Sequence, residues 1–257
     1  MNFRRSLKRI FTRHGYWISR KTSVLHDRWQ EELHFDAAFV IAHLLVQKSP
    51  LQFVQIGAFD GSANDVLAPF VRRGLLRGVM VEPEPGAFAK LQVARGDRPG
   101  LTLAPVAVAK ETGTVQMYRV KRECWHLHEA APQLTSLDPG NIRKWMRGCV
   151  PNPDDVMESF DVRALSFEDL LAEYGVTTLD VLQIDTEGFD AEIIRMIPFG
   201  RVRPTIINFE VLNLSRPDIE SVYGLLMDRG YRLHENPMDC VAYDAGFTRI
   251  PAPNISA

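Results

Sequence analysis

The chain is poor in cysteine and lacks long apolar runs. It has three cysteines in 257 residues, Cys124, Cys149 and Cys240, all far apart. A disulfide framework or a zinc motif needs cysteines in closely spaced or even sets, so neither is predicted. No apolar run approaches the roughly 20 residues of a membrane-spanning helix, and the basic start has no apolar stretch typical of a signal peptide. We therefore expect reduced thiols and a cytoplasmic protein.

An excess of charge of either sign is also missing. The formal net charge is -2 and the isoelectric point is about 6.4, which gives the protein no global attraction to nucleic acid. With 46% hydrophobic and 24% charged residues, the composition is ordinary for a soluble protein with one substantial core. We expect no nucleic-acid partner, and composition leaves the oligomeric state open.

The exception is the start of the chain, where positive charge is concentrated. Eight arginines and lysines precede residue 29 against a single acid, Asp27, and apolar residues such as Phe11 and Trp17 lie between them. Such a basic amphipathic segment can make peripheral contact with an anionic membrane or pack one face on its own domain. A helix is predicted over 35–47, ending before Pro50. Residues 1–50 are therefore predicted to be a basic helical extension.

From residue 51 to 257 the pattern predicts one α/β domain. Short apolar runs alternate with helical stretches, as in a parallel sheet covered on both faces by crossover helices. Helices are predicted over 166–174, with a capping box at its start, and over 218–229. The runs 231–234 and 240–243 predict an antiparallel hairpin that closes the sheet. The predicted fold is Rossmann-like, a mostly parallel twisted sheet with helices on both faces and a C-terminal hairpin. Its main strands are predicted over 51–57, 78–82, 101–109, 179–185 and 205–211.

A long segment without clear periodicity interrupts this alternation. After a predicted strand over 113–120, residues 121–160 are rich in proline, tryptophan and histidine. Loops of this length are uncommon unless they have a function. We predict a lid over an active site, with disorder as the alternative.

The first predicted strand runs into a glycine turn, Gln55-Ile56-Gly57-Ala58-Phe59-Asp60-Gly61. Glycines at such a turn let the backbone come close to a ligand. The two glycines are four residues apart, which departs from the dinucleotide pattern, and Asp60 would repel a pyrophosphate. The turn therefore favours a cationic ligand.

An acid ends the second predicted strand. Glu82, followed by Pro83, lies 25 residues after Gly57, where a carboxylate can accept hydrogen bonds from both hydroxyls of a ribose. The alternative is a solvated carboxylate at a strand end. A ribose without a pyrophosphate indicates an adenosyl donor such as S-adenosylmethionine.

Further acids follow the fourth and fifth predicted strands. Asp185 and Glu187 follow one of these strands and Glu210 ends the other. Ligands bind at the carboxyl ends of parallel strands, so these three side chains are predicted to face one crevice. Gathering carboxylates is costly unless they bind a cation, a hydroxyl or a metal.

Several of these motifs together resemble the FkbM methyltransferase family, over roughly residues 51–244. The resemblance rests on five stretches of sequence: Gln55 to Gly61, Glu82-Pro83, Ala107-Val108-Ala109 with Gly113, Thr135-Ser136-Leu137, and Ile184-Asp185-Thr186-Glu187-Gly188-Phe189-Asp190. It implies a class I methyltransferase fold, S-adenosylmethionine as donor, and O-methylation of a sugar hydroxyl in a glycan, glycolipid or natural product. Gln55 stands where the family usually has an acid, and Gln183 where it often has lysine.

Residue roles follow from the motifs and the resemblance together. The predicted donor contacts are Gln55, Gly57, Ala58, Asp60, Gly61, Glu82, Pro83 and Ala107. The candidates for a base or for orienting the acceptor are Asp185 and Glu187, then His126 and His128 in the predicted lid. A divalent metal, held by Asp185 and Glu210, is an alternative that the sequence does not favour, because no histidine or asparagine clearly joins them.

Two other functions remain open at this point. An NAD-dependent sugar oxidoreductase would share the sheet and Glu82, but the third glycine of its motif is missing. A nucleotide- or glycan-binding module without catalysis would share the donor turn and bind the donor without turnover.

Overall fold

The computed structural model describes residues 36–61 and 65–246. The basic segment up to residue 35 lies outside the described residues, as do residues 62–64 of the glycine turn and residues 247–257. The helices and strands in chain order are α1 (Ala37–Gln47), β1 (Leu51–Ile56), α2 (Ala68–Arg72), β2 (Leu76–Val81), α3 (Pro85–Arg95), β3 (Leu101–Ala104), β4 (Ala107–Val108), β5 (Gly113–Val120), β6 (Thr135–Ser136), α4 (Pro139–Met146), β7 (Met157–Leu165), α5 (Phe167–Glu173), β8 (Val181–Ile184), α6 (Asp190–Met196), β9 (Ile206–Glu210), α7 (Arg216–Asp228), β10 (Tyr231–Glu235) and β11 (Asp239–Asp244).

Seven strands form the main sheet, in the order β10-β11-β9-β8-β1-β2-β3. Five neighbouring strands of this sheet run parallel: β9, β8, β1, β2 and β3. Strand β11 pairs antiparallel with β9, and β10 pairs antiparallel with β11, so these two strands complete the sheet as a hairpin. The predicted α/β fold with a closing hairpin is confirmed. The carboxyl ends of β1, β2, β8 and β9 lie along one edge of this sheet, with β1 and β8 as neighbours. The strand order therefore brings the glycine turn next to the acids that follow β8.

Local signals set the helix ends. The Ser166 hydroxyl accepts from the Asp169 backbone N–H at 3.1 Å and so caps α5 as predicted, but the reciprocal half of the capping box is replaced, because the Ser166 N–H donates to the Thr112 hydroxyl at 3.0 Å. For α7 the prediction was two residues late. The helix begins at Arg216 because Ser215 caps it by accepting from the Asp218 backbone N–H at 3.3 Å.

The predicted strand over 101–109 is wrong as one element. The chain leaves the main sheet after Ala104, passes Pro105, and pairs again only as β4, which belongs to a second sheet. Proline lacks the backbone N–H that a continuing ladder needs, so the break falls where the sequence has one.

A second sheet frames the segment 121–160, which is predicted to be a lid, and that segment contributes β6 and the first residues of β7. Its order is β4-β7-β5-β6, with β7 antiparallel to β5 along eight residue pairs. The residues between β5 and β7 also form two short 3-10 helices, Arg122–Leu127 and Pro153–Val156, and helix α4. The buried side chains of the segment between β5 and β7 form a cluster separate from the main core, with members such as Leu134, Ile142 and Met146. The sequence did not predict β7 or α4, and a lid function stays a prediction.

The main core lies between the central sheet and the helices that cross it. Side chains of β1, β2, β8 and β9 pack there with those of α5, α6 and α7. Every residue of β8 and of β9 is buried, as expected for central parallel strands covered on both faces. Within the described part of the chain, no helix is long and apolar enough to cross a membrane.

Candidate functional site

The turn after β1 needs glycine at two positions because protein atoms fill the space beside it. Gly57 has a φ of 82° and Gly61 a φ of 71°, both in the left-handed region. A Cβ at Gly57 would lie 1.7 Å from the carbonyl oxygen of Asp185, and one at Gly61 would lie 2.6 Å from the Leu91 side chain. The two glycines therefore let the ends of β1 and β8, and helix α3, come close to the turn. Their contact with a donor stays a prediction.

Glu82 lies at the end of β2 with its carboxylate fixed by backbone donors. The Phe59 N–H donates to Oε2 and the Glu84 N–H donates to Oε1, each at 2.8 Å. The side chain is buried, and this burial raises the pKa of Glu82 to about 7, against the opposing effect of the two hydrogen bonds. Each oxygen keeps a lone pair for a further donor. Phe59 itself has a φ of 47°, a strained conformation of the kind that concentrates at functional sites.

Beneath the turn lies a buried polar group that the sequence analysis did not identify. Arg95 of α3 is 6% exposed and donates a hydrogen bond to the Gly61 carbonyl oxygen. Burial lowers the pKa of Arg95, as do Arg98 and Arg72, while Asp65 and Asp60 act to raise it. Arg95 therefore supports the predicted donor turn from below. Its only sequence signal is a basic residue in the last turn of an otherwise ordinary helix.

Gln55, which stands where the resembled family usually has an acid, is buried at the end of β1. Its Oε1 has no hydrogen-bond partner among the residues described by the structure. Gln55 also lies near Asp65. Burial raises the pKa of Asp65 above its usual value, and hydrogen bonds from the Leu67 backbone and the Gln55 side chain offset part of that rise. An unsatisfied buried acceptor carries a cost unless a ligand or water donates to it.

The three predicted acids after β8 and β9 do gather in one crevice. Asp185 is exposed as a residue, while protein atoms surround its carboxyl group closely enough to desolvate it. This desolvation and the charges of Glu210 and Asp190 raise the pKa of Asp185 well above its usual range. Burial together with Asp185 and Asp190 raises the pKa of Glu187 to about 8. Burial and the Glu187 charge likewise raise the pKa of Glu210 to about 8.

A fourth acid, Asp190, shapes the loop that carries two of them. It is 0% exposed, and its Oδ2 accepts from the Thr186 hydroxyl at 2.8 Å and from the Thr186 and Gly188 N–H groups at 3.4 Å each. Its Oδ1 accepts from the Glu210 N–H at 3.3 Å. Asp190 thus joins the loop after β8 to the end of β9. It belongs to the motif used for the resemblance, but the sequence analysis gave it no role.

Glu187 is held from the other side by the inserted segment. The residue has a φ of 52°, a backbone conformation that is uncommon for residues other than glycine. Its carbonyl oxygen accepts from the Ser136 hydroxyl at 2.8 Å and from the Asn141 side-chain amide at 2.7 Å. Beside it, a Cβ on Gly188 would lie 2.2 Å from the same Asn141 nitrogen. Ser136 and Asn141 therefore fix the backbone that presents the Glu187 side chain.

Asn213, in the loop after β9, joins two of the carboxylates. Its Nδ2 donates to Glu187 Oε2 at 2.7 Å and to Glu210 Oε2 at 3.0 Å. Its Oδ1 accepts from Lys144 Nζ and Trp145 Nε1, each at 3.0 Å. No motif or spacing marked Asn213 in the sequence.

The predicted histidines occupy different positions. His126 is exposed, with its Nδ1 2.8 Å from the Glu123 carbonyl oxygen. No hydrogen bond or ring contact among the described residues joins it to the carboxylates. The His128 Nδ1 accepts from the Ala130 N–H at 3.1 Å, and its ring meets that of Trp145 edge to face at 5.7 Å. His128 therefore reaches the carboxylates only through Trp145 and Asn213.

Another predicted donor residue, Ala107, lies in β4 of the second sheet. It is buried against Met117 and Ala164 and pairs with Ala164 across the sheet. This places it in a packing position beside the insertion, and its donor contact stays a prediction.

The alternative of a metal held by Asp185 and Glu210 finds no ligand set. Over residues 36–61 and 65–246, no group of three or more histidine, cysteine, aspartate or glutamate side chains is arranged to hold a metal ion. Glu210 shares the Asn213 amide nitrogen with Glu187, so these two carboxylates, but not that of Asp185, are linked by hydrogen bonds within the protein.

Residues 55–233 match the family model described as the methyltransferase FkbM domain. A search of curated proteins found no match.

Among solved structures, the chain is similar to a methyltransferase FkbM from Methylobacillus flagellatus KT, with 14% identity and a TM-score of 0.43 over 75% of this chain and 43% of that one. It is also similar to the O-methyltransferase TomG from Streptomyces achromogenes, involved in tomaymycin synthesis and solved with S-adenosylmethionine. That comparison gives 10% identity and a TM-score of 0.44 over 95% of this chain and 99% of that one. The chain thus spans less than half the length of the first of these structures.

Proposed function

The chain belongs to the FkbM methyltransferase family, and from this membership we propose that it transfers a methyl group from S-adenosylmethionine to a hydroxyl oxygen. We propose a sugar of a glycan, glycolipid or natural product as the acceptor. The observation that carries the proposal is that two sets of acids lie at the same edge of the sheet, one after β2 and the other after β8 and at the end of β9. A buried carboxylate fixed by backbone amides ends β2, and carboxyls with pKa values near neutrality follow β8 and β9.

The residues at the ends of β1 and β2 suit an adenosyl donor. Glu82 is oriented by the Phe59 and Glu84 amides and retains acceptor capacity for ribose hydroxyls. Gln55 adds a buried oxygen with no donor among the described residues. A cationic group stabilises the charged forms of neighbouring acids, so a positively charged donor suits this edge of the sheet. S-adenosylmethionine would supply there a methyl group on a positively charged sulfur.

The residues after β8 and β9 suit a hydroxyl acceptor. A hydroxyl is a weak acid, and a base assists best when its pKa lies near the working pH. Glu187, with a pKa raised to about 8, can accept that proton near neutral pH. Asp185 can orient the hydroxyl. Both act on the acceptor while Glu82 holds the donor.

The basic segment before residue 29 extends this proposal to membrane-linked acceptors. Its charge would bring the protein to an anionic surface where a lipid-linked glycan is presented. A variant lacking residues 1–21 should then keep donor binding and lose activity on vesicle-bound acceptors, whereas equal activity on both acceptor forms would contradict this role.

A direct test incubates the protein with methyl-labelled S-adenosylmethionine and glycan fractions from the host, and identifies the labelled product by mass spectrometry. Transfer to oxygen of a sugar is expected, with little change in an Asp228→Asn control, since Asp228 is exposed at the end of α7. Transfer to nitrogen or carbon would contradict O-methylation.

Donor binding without transfer to any fraction would favour a binding module, and reduction of added NAD by a sugar would favour an oxidoreductase. Activity that vanishes with chelator and returns with magnesium would restore the metal alternative.

A further inference from the structure

Asn213 is the polar side chain on which the acceptor side of the crevice converges. Its amide makes four hydrogen bonds, two donated by Nδ2 and two accepted by Oδ1, at 2.7 to 3.0 Å. The indole N–H of Trp145 can only donate. The atom that faces Trp145 must therefore be the amide oxygen, and the nitrogen must face Glu187 and Glu210. The orientation of the amide is fixed by chemistry.

This arrangement places two carboxylates on one nitrogen. Glu187 Oε2 and Glu210 Oε2 lie 2.7 and 3.0 Å from Asn213 Nδ2, so two groups that repel each other when charged are held side by side. The other titratable groups that face this pair come from four elements of the fold. They are Asp185 after β8, Asp190 of α6, Asp239 of β11 and Lys144 of α4.

The far side of the amide is anchored in the inserted segment. Trp145 and Lys144 belong to α4, whose Ile142 and Met146 are buried in the core of that segment. The same helix supplies Asn141, which donates to the Glu187 carbonyl oxygen at 2.7 Å. Helix α4 thus contacts the backbone of Glu187 directly and its carboxylate through Asn213.

We infer that Asn213 is a positioning residue, which transmits the placement of helix α4 to the Glu187 and Glu210 carboxylates and so sets the acceptor side of the crevice. This inference rests on the proposed function for its meaning, because the acceptor hydroxyl is what the two carboxylates would meet. Its physical content is independent of the acceptor. A donor shared by two carboxylates stabilises their charged forms, so its removal should make both hold their protons to higher pH.

The test is a carbon-13 NMR titration of the full chain with labelled glutamate side-chain carboxyls, in which Glu187→Gln and Glu210→Gln identify the two signals. Asn213→Leu keeps a similar volume and removes the amide. It should raise both titration midpoints by about one pH unit. Trp145→Phe keeps an aromatic side chain but removes the five-membered ring with its N–H, and should raise them by less. Gln133→Leu, an exposed amide in the same segment, should leave both midpoints unchanged.

Unchanged midpoints in a cooperatively folded Asn213→Leu variant would overturn the inference. If that variant does not fold, Trp145→Phe decides, since unchanged midpoints there would also overturn it. Calorimetric titration with S-adenosylmethionine separates this outcome from failure of the proposed function. A wild-type protein that does not bind the donor contradicts the proposed function, whatever the glutamate signals do. Normal donor binding with unmoved midpoints contradicts only the role of Asn213.

Discussion

The two sides of the crevice hold their carboxylates by different means. On the donor side, Glu82 is fixed by backbone N–H groups of Phe59 and Glu84. On the acceptor side, Glu187 is fixed by side chains. Asn213, 26 residues away in the sequence, holds its carboxylate. Ser136 and Asn141, which lie 51 and 46 residues away, hold its backbone carbonyl oxygen. Backbone donors are present whatever the side chain, whereas side-chain donors are lost by a single substitution. The acceptor side should therefore be far easier to alter by mutation.

This difference also bears on how each side can change its ligand. The donor turn depends on close contact between β1, β8 and α3, where Gly57 and Gly61 admit no side chain. The acceptor side depends on an inserted segment with its own small core. Changes within that segment can reshape the acceptor site while the central sheet stays as it is.

The largest effect is expected at Asp190, which belongs to the acceptor side. Asp190→Ala leaves the N–H groups of Thr186, Gly188 and Glu210 without their acceptor in a buried site, at a cost of about 1 to 3 kcal/mol per unsatisfied group. We expect a loss of about 3 kcal/mol in the free energy of unfolding, measured by urea denaturation. The exposed Asp228→Ala should stay within about 0.5 kcal/mol of wild type. Equal stability of both variants would show that the loop does not depend on Asp190.

The next effect concerns turnover at Asp185. Asp185→Asn keeps the shape and removes basicity and charge, so methyl transfer to an identified acceptor should fall by about 10²-fold. Donor affinity should change much less, since Asp185 faces the donor turn through its backbone carbonyl. The exposed Asp161→Asn is the control. A collapse of donor affinity in Asp185→Asn would place the side chain in the donor site and contradict the division between the two sides.

The same difference decided what the sequence could predict. The parallel sheet, the hairpin and the placement of acids at the carboxyl ends of the strands were predicted, because each depends on a short apolar run and the residue that ends it. Strand β7 and helix α4 were missed, since they are stabilised by pairing with β5 and by a separate small core rather than by a clear period. Asn213 was missed because its partners lie in three separate parts of the chain. Asp190 and Ser136 were within quoted motifs, but only the fold shows what they bind.

A smaller effect is expected in the pH dependence of stability. Folding raises the pKa of Glu187 and Glu210 from about 4.5 to about 8, so between these values the folded protein binds more protons than the unfolded chain. The free energy of unfolding should therefore fall as the pH rises through this window. One pKa unit corresponds to about 1.4 kcal/mol. Because local rearrangement relieves most of the shift, we expect the free energy of unfolding to fall by about 2 kcal/mol between pH 5 and 8 from this pair.

Urea denaturation at both pH values tests this with one variant and one control. Glu187→Gln cannot ionise and should show a fall smaller by about 1 kcal/mol. The exposed Glu111→Gln should show the wild-type fall. If all three proteins lose the same free energy, the acceptor-side carboxyls do not carry the proton affinity assigned to them.

The central claim, a donor side at Glu82 separate from an acceptor side at Glu187, is tested most directly by calorimetric titration with S-adenosylmethionine. Wild-type protein should bind the donor, Glu82→Gln should bind it about tenfold more weakly, a loss of about 1.4 kcal/mol, and Glu187→Gln should bind it within about twofold of wild type. Absence of binding by the wild type, or an equal loss of affinity in both variants, would contradict the account.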